Sequence, residues 1–154
     1  MAGKRNRRRR EESPAAREAL AAVKAIYGEL ESRDFASKRS CQVRTKCCRF
    51  RLTGRTPQLT KGEALLAAKA MRAHGRKEVP EPLIAGECPF LQDDGMCRIY
   101  QGRPFGCRTH FCGEAGGMVE RREVIDLIRR LEEIDESLGG RGPLPLEQAI
   151  REVC

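Results

Sequence analysis

Apolar residues recur at helical spacing in three segments of the chain. Ser13-Pro14 is a helix start, a capping hydroxyl followed by a proline at the first helical position. Ala16, Leu20, Val23, Tyr27 and Leu30 then mark one face up to about Arg33. A second start lies at Thr60, where Glu63 three residues on completes a capping box, and Leu65, Leu66, Ala68 and Met71 continue to a stop at Gly75. His74, beside that glycine, reads as a C-terminal cap residue. The most periodic segment runs from about Met118 to Leu138, with Val124, Leu127, Ile128, Leu131, Ile134 and Leu138 spaced by threes and fours before Gly139-Gly140. A Pro/Gly-rich turn from Gly140 to Pro145 precedes a last short helix from about Leu146 to Val153. Between the second and third helices, Phe90-Leu91 and Ile99-Tyr100 flank Gln92-Asp93-Asp94-Gly95, which predicts a hairpin with Asp93 and Asp94 as turn residues.

These elements predict a mostly α fold: a small helical domain with one β-hairpin and irregular, metal-organised cysteine loops. Four stretches follow: a disordered basic tail at 1–12, an N-terminal helix at 13–40, a cysteine-cluster core at 41–112, and C-terminal helices packing on that core at 113–154. A chain of 154 residues with 40% hydrophobic and 34% charged positions is too apolar to be disordered throughout and too polar to sit in a membrane. Five Phe, two Tyr and no Trp make a thin core, so cysteine chemistry is expected to supplement it.

The net charge of +8 suggests nucleic acid at first sight, but Lys4, Arg5, Arg7, Arg8, Arg9 and Arg10 supply most of it. Such a tail makes weak, salt-sensitive, sequence-independent phosphate contacts at most. Glu11, Glu12, Arg17, Glu18 and Lys24 follow it, so there is no apolar signal region and no membrane span. The expected location is the cytoplasm, where thiols stay reduced and clustered cysteines mean metal or catalysis more often than disulfides.

Seven of the eight cysteines fall in two groups, Cys41, Cys47 and Cys48, then Cys88, Cys97, Cys107 and Cys112, with Cys154 alone at the C-terminus. Soft thiolates select zinc or iron–sulfur chemistry, and seven nearly suffice for two four-ligand sites. Inert buried thiols are the plain alternative, but these are rarely so clustered. A disulfide framework is disfavoured by the odd count. The hairpin register bears on the chemistry. If Asp94-Gly95 is a two-residue turn, Cys97 pairs with Gln92 and Cys88 lies four residues, or about 13 Å, further along. The loop is then longer than two residues, or Cys88 and Cys97 serve different metal atoms or a multi-atom cluster.

Lys46-Cys47-Cys48-Arg49-Phe50, Leu59-Thr60, Cys88-Pro89-Phe90-Leu91, Cys97-Arg98-Ile99-Tyr100, Arg103-Pro104-Phe105-Gly106-Cys107-Arg108 and Cys112 follow in this order. Together they resemble the YkgJ-type cysteine-cluster family, described as a zinc- or iron-chelating domain with a CxxCxxCC motif. The motif expects cysteine at 41, 44, 47 and 48, and this chain has Arg44 at the second place. Three outcomes stay open: a three-cysteine site with an exchangeable fourth position, recruitment of His110 as a ligand, or a single site with spare cysteines. Arg98 reads as a solvent-facing hairpin residue. The resemblance makes Arg103 and Arg108 candidate cofactor-binding residues that offset thiolate charge from behind the ligands.

The leading functional expectation is a cytoplasmic protein binding iron, with a slight preference for an iron–sulfur cluster, or zinc. The candidate metal ligands are Cys41, Cys47, Cys48, Cys88, Cys97, Cys107, Cys112 and His110. Two alternatives stand beside it: a metal- or cluster-dependent enzyme related to protein lysine methylases, and a nucleic-acid accessory protein using the arginine-rich tail. For the enzyme, no glycine-rich loop follows a strand and no Ser/His/Asp or paired-carboxylate set stands out.

Overall fold

The structure is a computed structural model that describes residues 12–39, 46–112 and 115–154. The arginine run, Cys41 and Arg44 lie outside the described residues. The fold is mostly α, with one two-stranded antiparallel sheet among the described residues. Its principal helices are α1 (Pro14–Ser32), α4 (Lys61–Ala73), α6 (Arg121–Ser137) and α7 (Leu146–Val153); the short helices are α2 (Asp34–Ser37), α3 (Phe50–Thr53) and α5 (Phe105–Thr109). No helix among the described residues is long and apolar enough to cross a membrane.

The helix boundaries follow their local signals. The Ser13 side chain accepts from the Ala16 N–H at 3.2 Å, and Pro14 opens α1. At α4 the Thr60 N–H donates to the Glu63 carboxylate at 2.9 Å; at α6 the Glu120 N–H does the same to Glu123 at 3.1 Å. His74 is the C-cap of α4, and Gly75 behind it has φ +77°, a left-handed conformation that costs glycine nothing.

Helix α4 is the centre of the domain. One side of it packs with α1 and α6 through Leu66, Leu20, Val23, Tyr27, Leu127 and Leu131. The other side, through Ala64, Ala67, Ala68 and Met71, meets α7 and the cysteine loops, including Phe90 and Ile99. Small residues on α4 set how near its neighbours come. A Cβ on Gly62 would stand 3.0 Å from Val23 and Ile134, and one on Gly102, in the 3₁₀ turn Tyr100–Gly102, would stand 2.6 Å from the Ala70 Cβ. That second contact presses the segment leading to Cys107 against α4.

The sheet joins β1 (Gln58–Leu59) to β2 (Leu144–Pro145). The Phe90–Tyr100 segment, expected as a hairpin, carries a single antiparallel bridge, Leu91 with Cys97. Its loop is three residues long. The Gly95 N–H donates to the Gln92 carbonyl at 3.0 Å, Gly95 has φ +82°, and the Gln92 N–H donates to the Met96 carbonyl at 2.9 Å. This is a tight turn closed by a left-handed glycine, and it moves the partner of Cys97 from Gln92 to Leu91.

Candidate metal centre

Two turns solve the spacing problem that a straight hairpin would pose. The Leu91 N–H donates to the Cys88 carbonyl at 3.1 Å, so Cys88-Pro89-Phe90-Leu91 folds back instead of extending, and Leu91 itself is bridged to Cys97. The first cysteine group arrives by backbone pairing: the Cys88 N–H donates to the Cys48 carbonyl at 2.7 Å, and the Arg51 N–H to the Gly86 carbonyl at 2.9 Å. Gly86 allows this with φ +83°, where a Cβ would also meet the Arg51 Cβ at 3.1 Å. Cys107 comes from α5, whose N-terminus is held by the Phe105 N–H donating to the buried Glu63 carboxylate at 2.8 Å.

Cys47, Cys48, Cys88, Cys97 and Cys107 therefore line one cavity of ≈ 70 Å³, with Phe50, Phe90, Met96, Ile99 and Leu146 as apolar wall and Arg103 as its cation. Cys88 is buried and the other four are half-buried. Cys47 and Cys48 place their sulfurs 4.0 Å apart. Two sulfurs on one tetrahedral ion, each about 2.3 Å from it, stand about 3.8 Å apart. Among the described residues, no three His, Cys, Asp or Glu side chains converge closely enough to hold a single metal ion.

The electrostatics of the cavity oppose accumulation of thiolate charge. A proton shared between Cys47 and Cys48 holds Cys47 below the ordinary thiol range and Cys48 above it, so the pair gives up one proton readily and keeps the other. Burial pushes the Cys88 thiol up to about 12, helped by neighbouring Cys97 and Cys47. Cys107 is raised by burial first and then by Cys88, Cys97 and Cys47, while Arg103 pulls it down. Five soft donors around an apolar cavity, unable to ionise together without a cation, fit the chemistry of a thiophilic metal.

The other sequence candidates lie elsewhere. Cys112 is half-buried and does not line this cavity; its carbonyl accepts from the Ala115 and Gly117 N–H groups at 2.9 and 3.0 Å. His110 lines a neighbouring cavity of ≈ 160 Å³ that shares Cys47 and Cys107 as a wall, and burial with nearby Arg55 lowers its pKa. Arg108 does not line the cysteine cavity. Its guanidinium is 4.1 Å from the Tyr27 ring centroid and donates to Glu31 at 2.6 Å, to the Arg103 carbonyl at 2.8 Å and to the Gln101 carbonyl at 2.7 Å. Arg98 is half-buried and Cys154 is an exposed thiol at the end of α7.

Sequence reasoning missed a buried carboxylate behind the cysteines that pairs with two more exposed arginines. Glu87, 5% exposed, stands 3.6 Å from both Arg49 Nε and Arg51 Nη2. The Glu87 Oε1 and Arg49 Nε atoms are buried without a hydrogen-bond partner. Glu87 precedes Cys88 and Arg49 follows Cys48, so the pair ties the two cysteine segments together. The only signal was charge adjacent to cysteine in both segments, which by itself does not distinguish a buried pair from a solvated one.

The family model for CxxCxxCC, described as "Putative zinc- or iron-chelating domain", matches residues 38–126. No curated protein matches the chain, and no solved structure does. The matched span contains all five cavity cysteines and more than half of the chain. This chain belongs to the CxxCxxCC family of zinc- or iron-chelating domains.

Proposed function

We propose that this chain binds iron, as an iron–sulfur cluster, or zinc, through Cys47, Cys48, Cys88, Cys97 and Cys107. Cys112 and His110 are further candidates outside that cavity set, and Cys41, which lies outside the described residues, is another. The observation that carries the reading is the meeting of five cysteines from three separate segments on one apolar cavity. The scattered spacings and the adjacent Cys47-Cys48 pair suit a multi-atom cluster better than a simple zinc knuckle. Such a cluster supplies electron transfer or Lewis acidity, whereas zinc supplies a structural cross-link. Arg103 offsets thiolate charge from the cavity wall, and the apolar side chains limit water at the sulfurs. A cytoplasmic location suits reduced thiols.

The test is iron, sulfide and zinc analysis, with a visible absorption spectrum, on protein purified without oxygen. Bound metal that falls steeply in Cys107→Ser and stays level in Cys154→Ser is expected. Metal-free protein, or full stoichiometry in Cys107→Ser and Cys88→Ser alike, rejects the proposal.

A further inference from the structure

Beside the cysteine cavity, and sharing Tyr100 and Arg103 with it as a common wall, lies a further cavity of ≈ 390 Å³. Its volume is in the range of small-molecule sites. Among the described residues, three guanidinium groups line it, those of Arg39, Arg103 and Arg108, against one carboxylate, that of Glu31. The apolar part of its wall comes from Leu30, Phe35, Ala36 and Phe111, which lie on α1, on α2 and just after α5.

The three arginines are not equivalent. Arg108 is fully committed: all three of its nitrogens donate within the protein, and Glu31 balances its charge. Arg39 and Arg103 are fixed and keep Nη donors that no other described residue takes, although Arg103 also faces the cysteine cavity. Arg39 Nε donates to the Gly117 carbonyl at 2.9 Å and its Nη1 to the Phe35 carbonyl at 3.3 Å. Arg103 Nε donates to the Tyr100 carbonyl at 3.0 Å, and its guanidinium lies 3.7 Å from the Tyr100 ring centroid. Among the described residues, neither forms an ion pair with a carboxylate. Arg39 Nη2 and both Nη atoms of Arg103 make no hydrogen bond to another described residue. Anchoring Nε on a backbone carbonyl removes most of the side-chain entropy that a free arginine loses on gripping a ligand, and the planar Nη pair matches an oxyanion.

We infer that this cavity is a binding site for a small organic oxyanion, a carboxylate or phosphate ester whose apolar or aromatic body packs on Phe35 and Phe111 while its head meets Arg39 and Arg103. The walls give the preference for an organic anion over an inorganic one. The excess of positive charge in the described lining, without an apolar wall, would take inorganic phosphate as readily as its ester.

The experiment is titration calorimetry of full-length protein, as purified with its metal, against phenyl phosphate, benzoate and inorganic phosphate. Phenyl phosphate or benzoate is expected to bind, the tighter of the two identifying the head group, with inorganic phosphate about tenfold weaker or worse. Arg39→Gln removes a charge-assisted contact and should weaken the bound probe by about tenfold or more. Ala36→Phe, which fills the cavity and leaves every guanidinium in place, should abolish binding; circular dichroism and metal content check that each variant folds. Four results overturn the inference: no binding of either organic probe, inorganic phosphate binding as tightly as phenyl phosphate, unchanged affinity in both variants, or loss of binding on deleting residues 1–11, which would assign it to the arginine run.

Discussion

Replacing Glu63 by glutamine should destabilise the whole domain, because its carboxylate joins three elements from the interior. Glu63 is 3% exposed, and each of its oxygens takes one backbone and one hydroxyl donor. Oε1 accepts from the Phe105 N–H at 2.8 Å and the Tyr27 hydroxyl at 3.1 Å; Oε2 accepts from the Thr60 N–H at 2.9 Å and the Thr60 hydroxyl at 2.8 Å. A hydroxyl can reverse and accept, but a backbone N–H cannot. Whichever way the introduced amide is turned, its nitrogen faces one of the two N–H groups and leaves it buried without an acceptor. That costs about 2 kcal/mol, the middle of the range for a buried donor left without a partner. For a chain of this length the melting temperature should fall by about 4–8 °C. The assay is thermal and urea unfolding at fixed metal content, beside the exposed control Glu133→Gln, expected within about 0.5 kcal/mol of wild type. If Glu63→Gln matches that control, the carboxylate does not hold α1, α4 and α5 together.

The same residue sets a pH dependence. Burial pushes the Glu63 pKa above the usual carboxylate range, against hydrogen bonds from Thr60, Phe105 and Tyr27 that pull it down. Between its unfolded and folded values the native state binds more protons than the unfolded chain, so this contribution to stability is full below the unfolded pKa and is lost as pH rises through the folded one. Urea titrations from pH 4 upward should show that fall in wild type and a flatter profile in Glu63→Gln; parallel profiles contradict it. Two glycine replacements should act in opposite directions. A Cβ on Gly140 would overlap the Asp135 carboxylate, which is pinned by the Lys61 and Gly142 N–H groups at 2.7 and 2.9 Å, so Gly140→Ala should cost about 1–3 kcal/mol. Gly28 lies inside α1 with nothing within 4 Å of its would-be Cβ, so Gly28→Ala should gain about 0.5–1 kcal/mol in the same unfolding assay.

The helices could be read from the chain alone, because their causes are local. Ser13-Pro14, the Thr60 and Glu63 pair, and the glycines at 75 and 139 act within a few residues, and an apolar stripe such as Val124, Leu127 and Leu131 needs only to know that a core exists. The mostly α class and the zinc- or iron-chelating family were legible for the same reason, one from periodicity and the other from short motifs in order. Which thiols meet depends instead on contacts between distant segments. Cys107, His110 and Cys112 are near neighbours in sequence, yet α5 ends at Thr109 and the chain leaves it extended at His110, φ −98° and ψ 103°, so only Cys107 lines the cysteine cavity. Cys48 and Cys88, forty residues apart, meet through a backbone pair that no side-chain pattern encodes. The buried carboxylates Glu63, Glu87 and Asp135 were equally hidden, since a charged residue shows in sequence as a solvated one until the groups that satisfy it are brought from distant segments.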